Sequence, residues 1–179
     1  MNSQKKDGKE DGPWTEWHKN GQKEFEGHFI DGKKSGFWTV WYDNGQKESE
    51  GHYKDGIGYG LVIRWHENGQ KEREIHYEDG KENGPWTYWY ENGQKKSEGY
   101  GKDNKAGGLR TDFYENGNKE LELNYKDGKS NGLGISWYEN GQKNSTGHFK
   151  NGEKDGLWSY WDEDGKKISE KHFVDGNDE

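Results

Sequence analysis

The chain has 179 residues, of which 35% are Asp, Glu, Lys or Arg and only 25% are hydrophobic, with 29 Gly and a formal net charge of −8. These figures exclude a membrane-spanning helix, which needs about 18–20 consecutive apolar residues, and an aliphatic core of ordinary size, since soluble domains are about 45–50% apolar with Gly counted. They do not imply disorder, because ten Trp, 11 Tyr and six Phe far exceed the aromatic content of chains that stay unfolded. Burial is expected to come from rings. The acidic balance opposes binding to nucleic-acid phosphates and favours a basic partner. Without Cys there is no disulfide framework and no thiolate chemistry. Met1 to Asp11 is polar and lacks the apolar segment of a leader, which points to the cytoplasm, or to export or surface attachment if a leader has been removed.

In chain order, residues 1–11 form a polar N-terminal segment that ends a truncated copy at Asp7-Gly8. A 24-residue period then opens at Gly12, Gly36, Gly60, Gly84, Gly108, Gly132 and Gly156. This gives seven copies: 12–35, 36–59, 60–83, 84–107, 108–131, 132–155 and 156–179. Nine residues into each copy stands a second Gly, preceded by Asn in six copies and by Asp164 in the last. Asn-Gly predicts a type I′ hairpin turn. Asp-Gly closes most copies, as at Asp31-Gly32 and Asp55-Gly56, and predicts a looser turn. Each copy reads strand, tight turn, strand, looser turn. The fold class is all-β: a single-layer, elongated, twisted antiparallel meander of about 14 strands. A two-residue loop at Asn20-Gly21 sets Trp14 opposite Gly27, Trp38 opposite Gly51 and Trp86 opposite Gly99, each indole covering bare backbone. The same register places Trp14, Lys23 and Phe25 on one face and Trp17, Glu24 and Glu26 on the other. It also sets Lys47, Lys95, Lys119 and Lys143 against Tyr42, Tyr90, Tyr114 and Tyr138, a cation–π geometry.

The segment Tyr90-Glu91-Asn92-Gly93-Gln94-Lys95-Lys96-Ser97-Glu98-Gly99, its relatives starting at Tyr42 and Tyr138, and Gly-x-Trp-x-x-Trp at Gly36, Gly84 and Gly156 resemble the bacterial variant of the MORN repeat. The resemblance covers residues 12–179. It implies an array of β-hairpins used for protein contacts or, as proposed for eukaryotic relatives, for membrane and phospholipid binding. Some bacterial members carry an antitoxin label. The fifth copy departs from the pattern with Arg110 and Phe113, and the sixth with Gly134.

Catalytic and metal chemistry find little support. Glu24 and Glu26 are expected on one face about 7 Å apart, the spacing of an inverting glycosidase pair, but the Glu column recurs like a solvated face. His28, His52, His76, His148 and His172 form a column too widely spaced for one metal. Gly128-Lys129-Ser130 lacks the first Gly of a phosphate loop, since residue 123 is Leu. No enzyme, cofactor or metal is expected. The sequence favours a scaffold for protein–protein interaction, antitoxin-like toward a basic partner. The alternative is an array for glycan, cell-wall polymer or phospholipid headgroup through aromatic columns. Candidate binding residues are Trp14, Trp38, Trp86 and Trp158, Tyr42, Tyr90, Tyr114 and Tyr138, and the apolar run Ile57, Tyr59, Leu61, Val62 and Ile63. Open edge strands leave end-to-end self-association available.

Overall fold

The computed structural model describes residues 5–178, which contain strands and turns and no helix. A small sheet pairs β1 (Lys5–Lys6) with β2 (Lys9–Glu10). An open antiparallel sheet of 15 strands follows in chain order without crossover. Its hairpins are β3 (Gly12–Trp17) with β4 (Lys23–Ile30), β5 (Lys33–Trp41) with β6 (Lys47–Lys54), and β7 (Ile57–Trp65) with β8 (Lys71–Glu78). Then come β9 (Lys81–Trp89) and β10 (Lys95–Lys102), β11 (Lys105–Phe113) with β12 (Lys119–Lys126), β13 (Lys129–Trp137) with β14 (Lys143–Lys150), and β15 (Glu153–Trp161) with β16 (Lys167–Val174). The fifteenth strand, one more than the repeat arithmetic predicts, is the two-residue β17 (Asn177–Asp178) beyond the last closing turn. The chain divides into two compact units within β9, one reaching Gly84 and including Glu91–Gly93, the other comprising Pro85–Tyr90 and Gln94 onward.

The two turn types are exchanged relative to expectation. At the closing turn both Asp31 (φ 51°) and Gly32 (φ 79°) are left-handed and join the paired residues Ile30 and Lys33, which is the two-residue type I′ geometry. At Asn20-Gly21 only Gly21 has positive φ, 86°. There the Gly21 N–H reaches the His18 carbonyl at 2.9 Å and the His18 N–H reaches the Gln22 carbonyl at 2.8 Å. This is a type I turn followed by a left-handed Gly. Asn20 stays out of the left-handed region, and its Oδ1 accepts the Gln22 N–H at 3.0 Å.

The longer loop slips the register by one residue. Glu16 still pairs with Phe25, but Trp17 pairs with Lys23, leaving Glu24 unpaired. The slip recurs at Trp41–Lys47, Trp65–Lys71, Phe113–Lys119, Trp137–Lys143 and Trp161–Lys167. Because one residue of slip reverses the face a side chain occupies, the Lys and the Glu that follows it exchange faces. Lys47 bonds Glu50, whereas Glu48 bonds Arg64, so the carboxylates at these two positions do not form a same-face pair. The expected lysine–phenol pairs are corrected in the same way. Lys23, Lys47, Lys119 and Lys143 lie over Trp41, Trp65, Trp137 and Trp161 of the following copy, 5.2–5.7 Å from the ring centroids. Beside the Tyr90 ring, at 5.4 Å, stands Lys96 rather than Lys95.

Burial centres on the first Trp of the copy. Trp14 and Trp38 pair with Gly27 and Gly51 as the register predicts. The indole of Trp38, however, covers Gly27 of the preceding hairpin, and Gly51 is covered by Val62. Trp158 likewise covers Gly147 of the preceding hairpin, whereas Trp86 covers Gly99 within its own copy. Trp38 and Trp158 are only 2% and 3% exposed. Their Nε1–H groups donate to the carbonyls of His28 and His148 at 3.2 and 3.1 Å. Phe29 and Phe149 meet these indoles edge-on at 4.9 and 5.0 Å, and the ammonium groups of Lys34 and Lys154 close over them at 4.5 and 4.3 Å. Burial holds the Lys34 ammonium below its ordinary pKa. A methyl group added at Gly27 would fall inside the Trp38 indole, whereas at Gly107 nothing lies within 4 Å. Gly27→Ala is therefore expected to destabilise the chain by about 1–3 kcal/mol through overpacking. Gly107→Ala is expected to change stability by less than about 0.5 kcal/mol. Urea midpoints of the two variants check the contrast.

Candidate functional site

The Asn-Gly end of each hairpin is built as a ladder between copies. Tyr42, Tyr90, Tyr114 and Tyr138 donate their hydroxyls to the carbonyls of Trp65, Phe113, Trp137 and Trp161 in the next copy, at 2.7–2.8 Å. His18 does the same to Trp41 through Nε2 at 2.8 Å. The Nδ2 groups of Asn44, Asn68, Asn116 and Asn140 donate to the carbonyls of Glu67, Glu91, Glu139 and Glu163 at 2.7–2.9 Å. At the closing end, the N–H groups of Gly32, Gly56, Gly128, Gly152 and Gly176 bond carbonyls of the preceding closing hairpin at 2.8–3.0 Å. In the seventh copy, Asp162 and Asp164 stand where the others carry His or Tyr and Asn. An ionised carboxylate has no proton to donate, and Asp162 instead accepts the Lys166 N–H at 2.8 Å. The four candidate Tyr residues thus use their hydroxyls to join copies. Burial, helped by Glu48 at Tyr42 and by Glu120 at Tyr90 and Tyr114, raises the phenols of Tyr42, Tyr90 and Tyr114 above their ordinary 10.0.

The other candidates are distributed over both faces. Trp38 and Trp158 are buried, while Trp14 and Trp86 are half-buried. The apolar run divides by alternation. Tyr59 and Leu61 are exposed and Ile63 half-exposed on one face, Val62 turns to Gly51 on the other, and Ile57 reaches Gly80 at the closing turn. On the Leu61 face a row that sequence reading missed becomes visible. The residue after each opening Gly is Pro13, Phe37, Leu61, Pro85, Leu109, Leu133 or Leu157, and all seven are exposed, Phe37 at 48% and Leu157 at 56%. The signal was present as an apolar residue in the second place of every copy. His52 packs beside this row, 5.0 Å from the Phe37 ring and 5.7 Å from Tyr59. On the same face, in six copies, the Lys that follows the turn bonds the Glu three residues on.

A family profile described as MORN repeat variant matches residues 10–31, 36–55, 59–79, 82–103, 106–127, 130–151 and 154–175. The chain belongs to the MORN repeat variant family. No curated protein matches it. In this MORN chain the matched segments span both the Asn-Gly ladder and the strand that carries the exposed row. No three His, Asp or Glu side chains converge as a metal site among the described residues, and no helix there is long and apolar enough to cross a membrane.

The phenol ladder predicts a pH effect. A raised phenol pKa in the folded chain contributes stability that is fully present below 10.0 and is lost as pH rises through the folded value. The combined Tyr42→Phe, Tyr90→Phe and Tyr114→Phe variant is expected to lose about 1 kcal/mol per hydroxyl at neutral pH. Its deficit relative to the unaltered chain should then shrink above pH 10. Urea titrations across that range check the sign.

Proposed function

We propose that the MORN copies serve as a non-catalytic scaffold that docks a protein through the exposed apolar row, with Phe37 and Leu61, joined by Tyr59 on the same face, in one unit and Leu109, Leu133 and Leu157 in the other. The row carries the reading: a large apolar side chain stands at this position in five of the seven copies, with Pro in the other two, while in six copies the charged neighbours are paired with each other, and exposed apolar surface of this kind within a unit marks interaction sites. The net charge of −8 selects for a basic partner through encounter rate and orientation, which is the antitoxin-like form of the proposal. Burial of Trp38 and Trp158 leaves these indoles no free face on which glycan or lipid headgroups could stack, so the protein reading is preferred to a ligand array.

The test compares capture from a lysate of the native host by the unaltered chain and by two variants, Phe37→Ser with Leu61→Ser, and Leu133→Ser with Leu157→Ser. Because the row is exposed, both variants should keep the circular dichroism and urea midpoint of the unaltered chain. At least one should lose a stoichiometric, salt-sensitive protein partner. Equal capture by all three chains, or recovery of lipid or glycan without protein, contradicts the proposal.

A further inference from the structure

On the Trp38 face the second copy is filled. Phe25, Phe29 and Lys34 surround the indole, Lys34 also lies over the Tyr53 ring, and Val40 is paired to Phe25. One copy later four equivalent positions change together: Val62 stands for Trp38, Ser49 for Phe25, Gly58 for Lys34 and Arg64 for Val40. The ring and its ammonium cover are gone. A cleft of about 500 Å³ takes their place, lined by Ser49, Tyr53, Val62, Arg64, Arg73 and Tyr77 among others.

The two guanidinium groups in this cleft are unequally paired. Arg64 and Arg73 are directly opposed across β7 and β8, an arrangement that is unfavourable between like charges, and they are two of only three arginines in the chain. Arg64 is held by Glu48 at 2.8 Å and faces Glu72 at 3.7 Å, yet its buried Nε has no hydrogen-bond acceptor. Arg73 is half-buried and has no ion pair or hydrogen bond among the described residues. One guanidinium is offset and one is not. A guanidinium fork matches a carboxylate in two parallel hydrogen bonds.

We propose that this cleft binds an aromatic carboxylate, its ring in the space that the Trp38 indole fills one copy earlier and its carboxylate on Arg73. Glu48 and Glu72 already accompany Arg64, so only the single charge of Arg73 lacks a partner among the described residues: a monoanion matches it, whereas a phosphate dianion brings a second charge beside two carboxylates. A small aromatic acid and the free C-terminal Trp or Phe of a polypeptide offer the same chemistry. The cleft lies on the face opposite the apolar row and does not depend on that row docking a partner.

Calorimetric titration of the full chain with indole-3-acetate, a short peptide ending in free Trp, the same peptide as its amide, and inorganic phosphate tests the site. At least one of the two carboxylates is expected to bind, with the amide and phosphate weaker by about tenfold or more, the size of a lost charge-assisted pair. Arg73→Gln should weaken the carboxylate by a similar factor. The double variant Val62→Trp with Gly58→Lys restores the filling of the second copy and should abolish binding, which decides the matter if Arg73→Gln fails to fold. Tighter binding of the peptide assigns a polypeptide terminus, and tighter binding of indole-3-acetate a small acid. No carboxylate binding at millimolar concentration, amide or phosphate binding as tight as the acids, or an unchanged affinity in Arg73→Gln or in the filled variant overturns the proposal.

Discussion

A two-stranded hairpin is at best marginally stable in water, so the contacts that each copy makes with the next decide whether this chain folds. The central one is an indole laid across the bare backbone of the preceding hairpin, Trp38 on Gly27 and Trp158 on Gly147. Glycine is needed there for the absence of a side chain rather than for its backbone freedom. The same contact places the Nε1–H within reach of a carbonyl in the covered strand, so the buried polar atom is satisfied by the strand that the ring hides. Tyr and Asn side chains at one end and Gly N–H groups at the other extend the hand-over to both margins of the sheet. Stability in such an array is close to a sum over neighbouring copies.

Much of this was legible because a fixed period multiplies weak signals. One Asn-Gly is an ordinary turn cue, whereas six at the same place in each copy, with Trp and Gly at fixed offsets, settle strand positions and the pairing of Trp14 with Gly27. The turn type was not legible. Asn-Gly satisfies the composition of a type I′ loop, but Asn20 uses its side chain to bond Gln22, and the type I turn with a left-handed Gly follows. That choice moved Lys23 and Glu24 to opposite faces and redirected the lysines from phenols to the indoles of the next copy. Which Gly an indole covers was equally hidden, because the pairing of one hairpin says nothing of how far a ring leans toward the strand on its other side.

The candidate surfaces show the same division between periodic and non-periodic information. The exposed row from Pro13 to Leu157 was readable as a column and was overlooked beside the more conspicuous Trp and Gly. The run from Ile57 to Ile63 read as one apolar patch, yet strand alternation divides it: Leu61 joins the row while Val62 helps to open a cleft on the other face. That cleft arises from four substitutions dispersed over β6 and β7, and it becomes apparent only when equivalent positions of adjacent copies are overlaid in space. Repetition thus accounts for the scaffold, and departures from repetition mark where a particular ligand can be distinguished.

Amide hydrogen exchange of the Trp38→Ala chain, resolved by peptide, tests most directly whether stability resides between copies. If the indole holds the preceding hairpin, protection should fall across Lys23–Ile30 at least as much as across the tryptophan's own hairpin partner, Lys47–Lys54. Loss confined to residues 33–54, with Lys23–Ile30 as protected as in the unaltered chain, would contradict the account.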